Sequence, residues 1–202
     1  MSSITIDLFA EDRAHEALLM ALVDRLSTEE GRVVRIRIRS AQGGHPRVLN
    51  ELNLYQQTVL RGVSPIPDIL VVAIDSNCRT YQDTRRDIEA SLKPQFQDRG
   101  AFACPDPHIE RWFMADPESF ATIVGAEPRQ ERRKCERDRY KRMLVDAIRA
   151  GGHIPTLGGI EFASEIVAGM DLYRAGKNEP SLKSFIDGAR ASLRRARDMQ
   201  GD

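Results

Sequence analysis

Three short segments, far apart in the chain, carry side chains able to act on one substrate. Glu11 and Asp12 follow residues 4–10, Asp75 and Asn77 follow the apolar run 69–74, and His108 and Glu110 follow residues 101–104. If those stretches are parallel strands of an open α/β sheet, their carboxyl ends share one crevice, because loops converge there while helices cover the faces. Oxygens gathered in this way suit a hard divalent cation such as Mg²⁺, which keeps several waters and can clamp a phosphate. Asp75 adds a reason of its own, since a carboxylate ending so apolar a run is partly desolvated and wants a cation or a basic partner. Each residue also has a plainer use. Asp12 fits the cap of a following helix, Asn77 fits a turn, Asp106 and Asp116 each precede a proline at a helix start, and Arg79 or Arg85 would give Asp75 a local ion pair.

The elements that must position these groups are legible as hydrophobic periodicity. Ile4, Ile6 and Leu8 alternate with Thr5, Asp7 and Phe9, which predicts a strand, and Leu18, Leu19, Leu22, Val23 and Leu26 predict a helix after it. Strict alternation from Val34 to Arg39 predicts a half-buried strand near a sheet edge, with Arg35, Arg37 and Arg39 on one face. Pro46 opens a helix running to about Leu60; the run 69–74 predicts a central strand covered on both faces; Tyr81 to Leu92 predicts a helix, and 101–104 a fourth strand. Everything after Asp116 reads as helix, with stripes at Ala163, Ile166, Val167 and Met170 and at Leu182, Phe185, Ile186 and Ala189. The class is therefore α/β, a mostly parallel central sheet of about four strands flanked by helices, divided as an α/β domain over 1–116 and a helical C-terminal extension over 117–202 packed on it.

A chain of 202 residues with 41% hydrophobic residues can bury a core without staples. Thirty basic residues balance thirty acidic ones, so any affinity for nucleic acid must come from local charge. That charge is uneven: residues 1–31 carry a net −5, and residues 129–142 a net +5. Three cysteines without CxxC spacing argue against a disulfide framework or a cysteine zinc site, which fits a reducing cytoplasm. With no basic, apolar leader and no apolar stretch of about 20 residues, the expectation is a cytoplasmic protein outside the membrane.

Residues 10–19, Ala-Glu-Asp-Arg-Ala-His-Glu-Ala-Leu-Leu, resemble the opening of Toprim-type domains: a strand, Glu-Gly, two variable residues, an acid, then a helix. Residues 69–77 resemble the second Toprim signature, an apolar strand ending in Asp-x-Asp. Residues 107–112, Pro-His-Ile-Glu-Arg-Trp, are similar to the later acid-bearing segment of small RloB-like and related defence-associated Toprim proteins encoded beside ATPases. The likeness covers residues 3 to about 116. It implies a compact sheet, metal-dependent phosphodiester chemistry at the strand ends, Mg²⁺ or Mn²⁺ as cofactor, and an ATPase partner. Three positions depart from the pattern: the glycine is Asp12, the next acidic position is His15 followed by Glu16, and the second Asp is Asn77. Carried over residue by residue, the likeness makes Glu11 a general base or acid with Asp75 beside it. Glu11, His15, Asp75, Asn77 and Glu110 become metal ligands, and His108 orients water or contacts phosphate. His and Asn ligate divalent ions through nitrogen or amide oxygen.

Arg132, Arg133, Lys134 and Arg137 lead the basic run and could track a nucleic-acid backbone; the plainer reading is a solvated helix laced by ion pairs with Glu131, Glu136 and Asp138. Arg35, Arg37 and Arg39 offer a second footprint. Ile109, Trp112 and Phe113 share one helix face and are expected in the core. Gly43-Gly44-His45 and Gly158-Gly159 lack a full phosphate-binding loop and read as turns. No G-x-S-x-G is present and Cys78 has no paired histidine, which sets serine and cysteine hydrolases aside. Two functions remain: a metal-dependent nuclease or nuclease subunit, and a catalytically silent module that binds nucleic acid or protein.

Overall fold

The computed structural model describes residues 3–40, 45–136 and 138–198. It contains a four-stranded parallel sheet made of β1 (Ile4–Ala10), β2 (Val34–Ser40), β3 (Ile69–Ala73) and β4 (Gly100–Ala103), in the order β2-β1-β3-β4. Between the strands run α1 (Arg13–Glu29), α2 (His45–Leu60), α3 (Tyr81–Ser91) and the single turn α4 (Pro94–Gln97). The α/β class, the edge position of β2 and the central position of β3 agree with the sequence reading, and the arrangement is consistent with a Toprim-like fold.

Strand alternation feeds two separate cores, one on each face of the sheet. Ile4, Ile6, Leu8 and Ala10 of β1 join Ile69, Val71 and Ala73 of β3 under α1, while Phe9, Leu70 and Val72 face Val48, Leu52, Ile88 and Phe96. Every residue of β3 is buried, which is why its sequence shows no polar alternation. Register fixes where the strands end: Ala10 pairs with Ala73, and Ala73 with Ala103. The order reverses between β1 and β3, so the loops leaving those two strands diverge to opposite faces and leave a crevice between them.

The C-terminal helices are α5 (Glu110–Phe113), α6 (Pro117–Val124), α7 (Arg139–Ala150), α8 (Ala163–Gly169), α9 (Leu172–Asn178) and α10 (Pro180–Asp198). Both expected stripes are buried, and they share the first core with β1 and α1. Trp112 stacks on Phe185 with ring centroids 5.7 Å apart, and its Nε1 donates to Ser181 Oγ at 3.0 Å, so the lone tryptophan fastens α5 to α10. Arg25 of α1 donates to the carbonyls of Val167 and Met170, supplying partners for the open end of α8.

Several expectations are corrected. Residues 126–136 form an irregular strap rather than helix, because Pro128 and an unbroken polar run leave no apolar face to dock. Cys78 and Cys135 form a disulfide across 57 residues, and Cys104 stays free and buried; the odd cysteine count hid a pair that only the fold brings together. Asp106 starts no helix: Asp106-Pro107 is a cis peptide in the loop ahead of α5, and the Asp106 carboxylate pairs with Lys134. Asp116 precedes α6, but its side chain turns to Arg174 and to the Asp171 N–H instead of capping. Arg37 and Arg39 turn toward the buried Asp7, to which Tyr55 also donates, so two arginines of the supposed edge footprint, still partly exposed, are paired with an internal acid. Gly43 and Gly44 lie outside the described residues.

Candidate metal centre

Each group of the site owes its position to the end of a strand or the start of a helix. Asp12 is the N-cap of α1 as expected: Oδ1 accepts the N–H groups of Ala14 and His15 at 3.0 and 3.1 Å. The same oxygen lies 2.8 Å from Nδ1 of His15, a residue with no exposed surface in the first turn of α1. That contact sets the ring so that Nε2 points at Asp75, 3.1 Å from Oδ1. Neither Nε2 nor Oδ1 makes an aligned hydrogen bond, and both are buried. The other Asp75 oxygen lies 2.8 Å from Nδ1 of His108. His15 and His108 are therefore the basic partners of Asp75, whereas Arg79 pairs with Asp87 and Arg85 with Glu89.

Glu11, the first residue beyond β1, accepts the Asp75 N–H on Oε2 at 3.0 Å. Glu11, His15 and Asp75 thus bring one ligand atom each to within 4.8 Å of one another. Two neighbouring ligands of an octahedral ion with bonds of about 2.1 Å lie about 3 Å apart, close to the His15–Asp75 spacing. The donor set of one imidazole and two carboxylates suits Mn²⁺ at least as well as Mg²⁺, which favours oxygen alone. An acidic partner on the far ring nitrogen, as Asp12 provides, is the usual support of a metal-binding histidine.

A cleft of about 330 Å³ opens over this cluster, lined by Glu11, Asp12 and Asp75 and, beyond them, by Asn77, His108 and Glu110. Asn77 sits in a left-handed turn at φ +53° and bonds the Asp75 carbonyl through Nδ2 at 3.3 Å, so its turn role holds. Glu110, 3% exposed at the start of α5, faces the same cleft but is outside the three-group cluster. Sequence reasoning missed the far wall, formed by Cys78, Cys135, Asp138, Tyr140 and Lys141. No periodicity brings those residues to the strand ends; the signal in the sequence is the Tyr140–Lys141 pair at the close of the basic run.

Charge in the site is strongly coupled. Burial pushes Glu11 upward, the Asp75 charge adds to that, and His15 works against both. Glu110 is pushed up to about 7 by burial and then by Asp75. Asp75 is buried, which would raise it, yet His15 and His108 hold it below the ordinary carboxylate range. Burial opposes charge on His15 as well, but Asp75 and Asp12 outweigh it and lift the imidazole well above its usual value. His108 moves up for the same reason, burial being overcome by Asp75.

Of the basic residues singled out, Lys134 bonds Asp106 and the Arg79 carbonyl, Arg132 donates to the Asn178 carbonyl at 3.3 Å, and exposed Arg133 lies 3.5 Å from Glu136. Arg137 is outside the described residues. The three described bases thus lie on the strap outside the lining of the cleft, Arg132 and Lys134 facing a neighbouring pocket with Asp106 and Glu179, and are partly neutralised by acids. Among the described residues, no helix is long and apolar enough to cross a membrane. No protein-family model, curated protein or solved structure matches this chain.

Proposed function

We propose that this chain is a metal-dependent phosphodiesterase, a nuclease or nuclease subunit, with Mn²⁺ or Mg²⁺ held by Glu11, His15 and Asp75. The observation that carries the reading is the convergence of those three ligand atoms at the β1/β3 switch point, with two of them buried and lacking an aligned hydrogen bond. Such an ion, when bound, polarises a phosphoryl oxygen and lowers the pKa of water. Glu11 keeps one carboxylate oxygen beyond its bond to the Asp75 N–H, so it can both bind and orient. His108 commits Nδ1 to Asp75, which leaves Nε2 as the nitrogen able to take or give a proton. Glu110, raised to about 7, is half-protonated near neutrality and supplies a second proton-transfer group in the cleft. Asn77 and Glu110 complete the ligand set the resemblance implies, as outer partners beside the cluster.

Nucleic acid as the substrate is supported by the net +5 charge of residues 129–142, whose Cys135, Asp138, Tyr140 and Lys141 reach the cleft; an ATPase partner rests on the Toprim-like resemblance alone. A cytoplasmic location belongs to the same reading and makes the Cys78–Cys135 bond a redox-responsive one, since cytosolic disulfides are mostly transient.

The test is Asp75→Asn, with circular dichroism to check the fold, assayed beside wild type on single-stranded DNA, duplex DNA and RNA with Mn²⁺ or Mg²⁺. Wild-type cleavage that the variant loses by about 100-fold or more supports the proposal. Equal cleavage by both proteins points to a contaminant and overturns it. One observation favours a second reading, a metal-free binding module: His15, lifted well above its usual value, lies between Asp12 and Asp75 and could itself serve as their cation. Wild-type inactivity across the panel, with no Mn²⁺ bound, selects that module.

A further inference from the structure

Two residues of the cleft wall, from separate segments, are joined covalently. Cys78 sits in the loop that carries Asp75 and Asn77 away from β3, Cys135 sits near the end of the basic strap, and both line the cleft while remaining exposed. We propose that the Cys78–Cys135 disulfide is a latch that ties the end of the strap to the β3 loop at the wall of the metal-site cleft, and that a dithiol reductant opens it. The inference rests on the cleft being the place where substrate enters.

The argument turns on what else holds the strap there. Its base is well anchored: the Tyr140 hydroxyl, in a residue 1% exposed, donates to the Arg133 carbonyl at 2.8 Å and accepts the Arg133 N–H at 2.9 Å. Arg139 pairs with Glu131 and Glu136, which lie on the same segment and do not cross the cleft. Among the described residues, Lys134 ties the strap toward Cys78, to the Arg79 carbonyl at 2.8 Å and to Asp106, while Gln130 and Arg132 tie its earlier part to the Met114 and Asn178 carbonyls, each at 3.3 Å. That lysine is 39% exposed, and surface ion pairs of this kind hold little on their own. Breaking the disulfide therefore leaves the end of the strap, beyond the Arg133 anchor on Tyr140, held toward Cys78 by Lys134, while Asp12, His15 and Glu11 are untouched. Cys104 takes no part: it is buried, and burial pushes its thiol up to about 12.

The exchange is balanced. A thiolate of the reductant attacks one sulfur, the Cys78–Cys135 bond breaks, and the departing sulfur leaves as a thiolate that takes a proton. The second thiol of the reductant then resolves the mixed disulfide, so two electrons and two protons pass to the cysteine pair and the reductant leaves oxidised.

Hydrogen exchange of the full-length protein tests this, with dithiothreitol as the reductant. In oxidised protein, peptide mapping without reduction should return a cross-linked pair containing Cys78 and Cys135. After reduction, amides of residues 134–136 should exchange at least tenfold faster, with the Arg133 amide, held by Tyr140, and the amides of β1 and β3 unchanged. The double variant Cys78→Ser, Cys135→Ser should show the fast strap without reductant, and Cys135→Ser alone serves if the double variant folds poorly. Absence of the cross-linked pair, or equal strap exchange in both states, overturns the proposal. Where wild type cleaves, reduction should speed cleavage of a polynucleotide but not of bis(p-nitrophenyl) phosphate, and an equal effect on both overturns the gating. Inactivity on both substrates counts against the nuclease reading, and strap exchange still decides for or against the latch.

Discussion

The backbone N–H of Asp75 donates to the side chain of Glu11 at 3.0 Å, so the loop leaving β3 is fixed by the first residue beyond β1. This bond crosses the point where strand order reverses, and it sets both carboxylates in one cleft although each repels the other. Repulsion of that kind is relieved by a cation, either the proton on His15 or a metal in its place. A proton on His15 and the proposed metal would thus compete for one position.

Competition gives the first prediction. Mn²⁺ binding at pH 7.5 should release close to one proton, because His15 must give up the proton its neighbours hold there. Calorimetry in two buffers of different ionisation enthalpy reads this directly, and affinity should climb as pH rises toward the raised His15 value. Asp12→Asn should weaken binding about 10- to 100-fold through loss of the partner that sets the ring. Binding without proton release would place the metal away from His15.

A second prediction concerns Glu110. Its folded-state value of about 7 lies above the ordinary 4.5, so the folded protein holds this proton more tightly than the unfolded chain. The resulting stability is complete below about pH 4.5 and is lost as pH rises through 7. In EDTA, Glu110→Gln should therefore stabilise the protein by a few kcal/mol at pH 8 and change little at pH 4. Urea unfolding at the two pH values measures it, and an equal shift at both would assign the effect to packing.

The architecture was readable because its signals are local. Alternation in β1 and β2, the unbroken run of β3, and the stripes of α8 and α10 each follow from a few neighbouring residues and the period they keep. Asp75, Glu11, His108 and Glu110 were placed by the rule that parallel strands deliver their loops to one edge. What failed had non-local causes. Asp116 fits the local pattern of a cap, yet Arg174, 58 residues away, takes its carboxylate. Cys78 and Cys135 share no spacing motif, and the strap that unites them lacks the periodicity from which an element is read.

The strap gives a third prediction. If its bases contact a polyanion, the triple variant Arg132→Ala, Arg133→Ala, Lys134→Ala should reduce the slope of log affinity against log salt by up to about 2 to 3. Lys134 is engaged with Asp106 and Arg133 lies near Glu136, so a drop nearer 1 would mean that those acids keep their partners. Fluorescence anisotropy of a labelled oligonucleotide between low and moderate salt supplies the slope. An unchanged slope would make the strap a structural cover only.

A fourth prediction separates the arginines of β2 from those of the strap. Asp7 is fully buried on β1, directly opposite Arg37 in register, and it binds Arg37, Arg39 and the Tyr55 hydroxyl. Removing one member of a buried ionic group leaves the others desolvated without a partner, at a cost of about 3–5 kcal/mol when all are buried. Arg37 and Arg39 retain side-chain exposures of 22% and 37%, which lets water reach them and brings the expected loss from Asp7→Ala nearer to 2–3 kcal/mol, about 1 M in the urea midpoint. Asp7→Asn should fall between wild type and Asp7→Ala, because the amide still accepts one hydrogen bond but carries no charge. Neither variant should change oligonucleotide affinity or its salt slope if these arginines serve the fold. Tighter binding in Asp7→Ala, with the guanidinium groups released, would instead return β2 to the candidate nucleic-acid surface.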